Sequence, residues 1–289
     1  MDISIAVVIP YYNGSRFIHE TVASVLAQTM PAREFVIVDD GSRPEESDAI
    51  QKYKGTILII RQNNQGISAA RNIGVAQTSS EWVAFLDQDD TWTDNRLSVL
   101  ADYLSHHPEC AAVHNAIQIH GSEEIYRKKP LTVSDFLLNA DSPSQVMPSG
   151  AMVRRDIFHE AGMWDESVRI MEDFDFFLRV AIQSTIHYVD EPLTLRRLHE
   201  ENASRTINIG MACLNKNIVL SRHRNLYLSE RVFKKQILSL NCEFLTRAFY
   251  GKDWKSALLT FRLAKEHGVS PLALGILGLS RLVKTKLGR

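Results

Sequence analysis

Trp82-Val83-Ala84-Phe85-Leu86-Asp87-Gln88-Asp89-Asp90 sets five consecutive apolar residues directly before three carboxylates in four positions. An apolar run of that length, with aromatic and β-branched members, fits a strand buried on both faces of a parallel sheet. In open α/β sheets, ligands bind beyond the carboxyl ends of the strands, so the acidic cluster lies where chemistry is done. Carboxylates this close repel one another when ionised and call for a cation. Hard oxygen ligands suit Mg²⁺ or Mn²⁺, commonly shared with phosphate groups. The plainer alternative is a solvated acidic turn leading into a helix that starts near Asp94.

The chain on either side favours the first reading. Ile5 to Ile9 is a short apolar strand closed by Pro10, and Tyr11-Tyr12-Asn13-Gly14 follows as a loop. Ile18, Val22, Val25 and Leu26 recur at helical spacing. Phe35 to Val38 is a second buried strand, and it too ends in carboxylates, Asp39-Asp40-Gly41-Ser42. A third strand at 57–60, a helix over 67–77 and the acidic strand at 82–86 continue the alternation. That pattern predicts a mostly parallel sheet flanked by helices, with both Asp pairs along one edge.

Further on, a helix is expected before His106, a strand over 111–119, and a polar loop at 121–130. A strand with a turn at Pro148-Ser149-Gly150, helices at 155–161 and 173–183, and a strand at 186–190 ending in Pro192 complete this part. Beyond about residue 205 only helical patterns remain, broken near Ser229, Gly251 and Gly268.

The 45 % hydrophobic and 23 % charged composition of the 289 residues is that of a globular protein. Cys110, Cys213 and Cys242 are odd in number and lack CxxC spacing, which argues for a reducing compartment and against structural zinc. No window is long and apolar enough for a membrane span, and Met1 to Val8 has no signal-peptide character, so a cytoplasmic protein is expected. The net charge of −1 hides an asymmetry. Residues 1–198 carry 17 basic and 28 acidic residues, and residues 199–289 carry 16 basic and 6 acidic. An acidic part and a basic part suggest two jobs.

Taken together, Val7-Val8-Ile9-Pro10-Tyr11-Tyr12-Asn13-Gly14, Val38-Asp39-Asp40-Gly41-Ser42, Asn64-Gln65-Gly66 through Ala69-Ala70-Arg71-Asn72, Asp87-Gln88-Asp89-Asp90 and Glu172-Asp173 occur in one order. This set resembles family 2 of the inverting nucleotide-sugar glycosyltransferases, which have the GT-A, Rossmann-like fold. The resemblance runs from residue 5 to about residue 205. It implies a catalytic domain over 1–205 and leaves 206–289 as a helical C-terminal extension.

The resemblance also implies roles. Pro10 and Tyr11 would line the nucleotide, with the Tyr11 ring against the base. Asp39 or Asp40 would accept a hydrogen bond from a ring N–H, which fits uracil. Arg71 would meet the base or the diphosphate. Asp87 and Asp89 would form the family's DxD element, with Asp87 and Gln88 toward the donor and Asp89, with His199, binding Mn²⁺ or Mg²⁺. Asp173 would be the base that takes the acceptor proton in an inverting displacement. Trp164 stands either near the acceptor or in the core.

The implied activity is metal-dependent sugar transfer from a nucleoside-diphosphate sugar, UDP-linked by preference, to a saccharide or lipid-linked acceptor in cell-surface polysaccharide or glycolipid synthesis. Nucleic acid is not an expected partner. Alternatives are a sugar-phosphate nucleotidyltransferase, which would want a basic Gly-rich loop after the first strand, and an inactive nucleotide-sugar-binding module. The segment after Ser270-Pro271 combines Leu272, Leu274, Ile276, Leu277 and Leu279 with Arg281, Lys284, Lys286 and Arg289. Such a helix either packs on the protein or lies on an anionic membrane surface at the cytosolic face.

Overall fold

The computed structural model describes residues 3–127, 131–138, 146–200, 202, 208–270 and 272–275. The chain divides into two compact units, residues 1–133 with 144–199, and residues 134–143 with 200–289.

The first unit is built on β1 (Ile5–Tyr11), β2 (Glu34–Asp39), β3 (Leu58–Arg61) and β4 (Trp82–Phe85). They lie parallel in the order β3-β2-β1-β4 and are joined by α1 (Ile18–Leu26), α2 (Pro44–Gln51) and α3 (Ile67–Ala76). Strand alternation assigns the two faces of β1. Ile5, Val7, Ile9 and Tyr11 join one core cluster with Ile18, Val22 and Val25 of α1 and with Leu97 and Leu100 of α4 (Arg96–His106). On the opposite face α3 comes so close that a Cβ on Gly74 would stand 2.4 Å from Val8 and 3.3 Å from Val38.

The second half of the sheet is mixed. It contains β5 (Thr91–Trp92), β6 (Ala112–Ile119), β7 (Ile125–Tyr126), β8 (Ala151–Arg154) and β9 (Ile186–Arg196). The full order is β3-β2-β1-β4-β8-β6-β9-β5, with β7 on β6. β8 runs antiparallel to both β4 and β6, and β6 and β9 are parallel. α6 (Arg155–Glu160) and α7 (Glu172–Gln183) complete the elements of this unit up to β9, and α5 (Val133–Leu138) belongs from Ser134 onward to the second unit.

Three boundaries differ from the sequence expectation. β1 continues through Pro10 to Tyr11, because β1 pairs with β4 only as far as Val8 and Pro10 lies past that ladder. The polar loop at 121–130 contains β7, tied back to Ile117 and Gln118. β9 runs past Pro192 to Arg196, and the register shifts opposite Asn115 and Ala116 make room for the proline.

The second unit is helical, with α8 (Ile209–Arg222), α9 (Glu230–Tyr250) and α10 (Trp254–Glu266). Each starts on a side-chain cap: Asn208, Ser229 and Asp253 accept from the backbone N–H of Met211, Val232 and Ser256. Phe233, Ile237, Leu240, Phe244 and Leu245 of α9 are buried. Among the described residues, no helix is long and apolar enough to cross a membrane. Residues 276–289, which hold the basic end of the expected amphipathic segment, lie outside the described residues.

Candidate active site

The loops that follow β1, β2 and β4 meet at one edge of the sheet, and their side chains tie them together. Asn13, in the left-handed region at φ 47°, donates its N–H to Ser42 Oγ and accepts from the Arg43 N–H with its side-chain oxygen. Gly41 (φ 79°) allows the β2 loop to pass against Asn64, where a Cβ would meet the backbone N at 2.7 Å.

Asp39 is wholly buried. It accepts from the Ser42 N–H (2.9 Å), Ser47 Oγ (2.6 Å) and Arg61 Nη1 (2.5 Å). Burial works to raise its carboxyl, but the Ser42 and Ser47 hydrogen bonds and Arg61 prevail and hold it below its ordinary value. Asp40 gathers the next loop. Its Oδ1 accepts from Gln62 Nε2 and the Gln65 N–H, and its Oδ2 accepts from the Gly66 N–H at 2.8 Å. Asp39 therefore serves its own turn and Asp40 the loop after β3, each through three accepted hydrogen bonds.

Tyr11 is not where the resemblance implied. It is 1 % exposed, in phase with Ile5, Val7 and Ile9, and its hydroxyl donates to the Glu46 carbonyl at 2.6 Å. Its ring faces have no room for a base. The aromatic side chain presented by this loop is the next residue, Tyr12, which is 47 % exposed. Gln88 is also committed internally: its amide accepts from the Tyr12 N–H (2.7 Å) and donates to the Tyr12 carbonyl (3.1 Å). It works as a clamp that holds the Tyr12 loop against the acidic loop.

Arg71 joins two parts of the site. Its guanidinium is 1 % exposed, lies 4.4 Å above the Trp164 ring, and donates from Nη2 to Asp87 Oδ1 at 2.7 Å. Its Nη1 stands 3.5 Å from Glu172 Oε1. Trp164 is core, stacked on Phe176 at 4.1 Å and edge-on to Phe85 at 5.3 Å. Glu172 and Asp173 open α7, directly after Met171 in the left-handed region at φ 67°. A non-glycine residue held there stores strain, a common mark of a functional turn. Burial, together with the neighbouring Asp173, pushes the Glu172 carboxyl up to about 7 against the pull of Arg71. Asp173 Oδ1 accepts the Phe174 N–H at 2.7 Å.

Asp89 meets His199, with Oδ2 and Nε2 2.8 Å apart. Burial and the Asp87 charge raise the Asp89 carboxyl, and His199 partly offsets them. Asp90 is buried and accepts from Ser149 Oγ (2.6 Å) and the Arg197 N–H (3.0 Å). Burial, then the charges of Asp89 and Asp87, push it up to about 8. Arg197 also donates from Nε to the Asp89 carbonyl and pairs with Glu20. Among the described residues, no three His, Cys, Asp or Glu side chains converge into an enclosed metal cage. Asp89 and His199 offer one carboxylate and one imidazole, donors that Mg²⁺ or Mn²⁺ would accept.

Tyr12, Ser149 and Arg197 were given no individual role from the sequence, and Glu172 entered only beside Asp173 in their shared motif. Only Tyr12 carried a usable signal, because strand alternation sends one of two adjacent tyrosines inward.

This edge is rich in carboxylates and is fed by loops after parallel strands. Residues 6–162 match glycosyl transferase family 2, and the chain belongs to that family. An uncharacterized glycosyltransferase of Rickettsia prowazekii is 25 % identical over 280 residues, which are 88 % of this chain and 83 % of the relative. The minor teichoic acid biosynthesis protein GgaA of Bacillus subtilis is 27 % identical over 194 residues, 62 % of this chain and 43 % of GgaA. Among solved structures, S. aureus TarS 1–349 in complex with UDP-GlcNAc superposes with a TM-score of 0.65 at 20 % identity. It covers 86 % of this chain, and 73 % of that chain is matched. The TarS likeness bears on the fold.

Proposed function

We propose that the chain is a metal-dependent inverting glycosyltransferase that moves a sugar from a UDP-sugar to an acceptor hydroxyl of a cell-surface polysaccharide or lipid-linked precursor. The observation that carries this reading is the chain of contacts Asp87–Arg71–Glu172, which sets the acidic loop beside the turn that bears Asp173. One buried cation thereby joins Asp87 of the acidic loop to Glu172, the neighbour of Asp173. Family membership, the UDP-GlcNAc bound by TarS and the teichoic acid role in the name of GgaA support the donor and the product class.

In this reading residues 1–205 form the catalytic domain and 206–289 the helical extension. Tyr12, 47 % exposed, takes the stacking role implied for Tyr11, and Asp39 or Asp40 accepts the uracil N–H. Asp89 and His199 would hold Mn²⁺ or Mg²⁺, and the cation would supply positive charge where the nucleoside diphosphate departs. Asp173 takes the proton of the acceptor hydroxyl on the face opposite that leaving group. Glu172, pushed up to about 7, limits the negative charge beside it near neutral pH.

We also propose that the basic helical extension brings the enzyme to an anionic membrane surface at the cytosolic face. In α10, Trp254 (65 % exposed) and Leu258 (73 %) lie one turn apart, and Lys255, Arg262 and Lys265 of the same helix are exposed. Aromatic and basic side chains in that mixture suit a headgroup boundary.

The experiment is a UDP-sugar panel with Mn²⁺, read by NMR for the anomeric configuration of the transferred or hydrolysed sugar. A β product from an α-linked donor supports the reading. Retention of configuration overturns the inverting mechanism, and a nucleotide-sugar product from a sugar phosphate would favour nucleotidyl transfer.

A further inference from the structure

Arg96 opens α4 and is wholly buried. Burial alone pushes its guanidinium down to about 9, with no carboxylate close enough to offset the loss of water. Nη1 has no hydrogen-bond partner among the described residues. A buried cation without a counter-ion is costly, and an apolar side chain of similar volume would fill the space more cheaply. What Arg96 does touch leads to the acidic loop by two routes.

In the first route the guanidinium lies 4.0 Å above the Trp92 ring, and Trp92 Nε1–H donates to the Ser149 carbonyl at 2.7 Å. In the second, Nε donates to Asn115 Oδ1 (3.0 Å), Asn115 Nδ2 donates to Thr194 Oγ1 (3.0 Å), and Thr194 Oγ1 donates to the same carbonyl (3.2 Å). The Ser149 peptide is thus gripped from two sides by buried groups. Its hydroxyl then does two things at once. It donates to Asp90 Oδ2 at 2.6 Å and accepts the Asp87 N–H at 3.2 Å. The two ends of Asp87-Gln88-Asp89-Asp90 are therefore pinned to one oxygen atom, with Asp89 between them facing His199.

We propose that Ser149 is a positioning residue for the acidic loop, anchored through its carbonyl by the Arg96–Trp92 and Asn115–Thr194 contacts. Its hydroxyl sets the spacing of Asp87 and Asp90, and so the readiness of Asp89 and His199 to take up a divalent cation with a nucleoside diphosphate. The ligand side of this proposal rests on the donor reading given above. Groups that orient metal ligands without touching the metal commonly change metal affinity by about 10–100-fold when removed.

The test uses the full chain and the variants Ser149→Ala, Ser149→Thr and Thr194→Val, each checked by thermal melting. Two readouts are taken: UDP binding by calorimetry across a Mn²⁺ titration, and amide hydrogen exchange of the peptide spanning 86–92. Ser149→Ala should raise the Mn²⁺ concentration needed for half-maximal UDP binding about tenfold or more. It should also speed exchange in 86–92. Ser149→Thr, which keeps the hydroxyl, should stay near wild type, and Thr194→Val should shift both readouts in the direction of Ser149→Ala. Wild-type Mn²⁺ dependence in Ser149→Ala would overturn the proposal. Should the wild type itself bind no UDP with Mn²⁺, the donor reading fails and exchange alone decides. Unchanged protection of 86–92 in Ser149→Ala then overturns the positioning role, and faster exchange upholds it.

Discussion

Replacing Arg71 by Met removes the cation between Asp87 and Glu172 but keeps an unbranched apolar stem under Trp164. In the structure the guanidinium is 2.7 Å from Asp87 and 3.5 Å from Glu172, and it is almost fully buried. Removing one partner of a buried ion pair costs about 3–5 kcal/mol. Asp87 is partly exposed and the Glu172 contact is long, so about 2–3 kcal/mol is the reasonable figure at pH 8. For a chain of this size that corresponds to a Tm drop of roughly 4–12 °C.

The loss should depend on pH, and its sign follows from Glu172. A carboxyl pushed up to about 7 in the fold binds its proton more tightly than in the unfolded chain. Its contribution therefore falls as pH rises from the ordinary carboxylate range, about 4, through 7. Without Arg71 the folded value climbs further, so the penalty extends to higher pH. At pH 5.5 Glu172 is largely neutral with or without Arg71, and the variant loses only the Asp87 pairing. The stability gap between wild type and Arg71→Met should thus be smaller at pH 5.5 than at pH 8, by about 1 kcal/mol or more. Urea unfolding at the two pH values, followed by near-UV circular dichroism, measures it. An equal gap at both pH values, or one below about 0.5 kcal/mol at pH 8, would refute the bridging role.

Three further outcomes are expected. Tyr12→Ala should weaken UDP binding by about 1–3 kcal/mol in calorimetry, the usual worth of base–aromatic stacking, while Tyr11→Phe should leave it unchanged. Asp173→Asn should retain UDP-sugar binding and lose roughly 10²–10⁴-fold in turnover, and near-normal transfer would remove Asp173 from the base role. Gly74→Ala should cost about 1–3 kcal/mol in urea unfolding, despite alanine's better helix propensity, because its methyl enters the space of Val8 and Val38.

Much of the first half of the fold is legible in the sequence, because buried parallel strands are continuous apolar runs and each ends in the residues it delivers to the edge. The placement of Asp39, Asp40, Asp87 and Asp89 at or just past the ends of β2 and β4 was legible that way. The mixed second half was not legible, since hydrophobic patterning does not tell strand direction. Nothing in Ala151–Arg154 says that it runs antiparallel between β4 and β6. Tyr11 was misplaced for a local reason. A proline ended the expected strand one step early, and the inward phase of Ile5, Val7 and Ile9 was not carried on to Tyr11. Gln88 and Ser149 escape for the opposite reason: their roles rest on hydrogen bonds to residues 76 and 59 positions away. Composition carries no trace of such pairings.

The most direct test of the central claim is calorimetric binding of UDP, GDP, CDP and dTDP to the full chain, each with and without Mn²⁺. The account predicts tight binding of UDP in preference to the other nucleotides, requiring Mn²⁺ and abolished by Asp89→Ala. UDP binding of equal strength without metal and in Asp89→Ala, or no binding of any nucleotide to a folded sample, would contradict it.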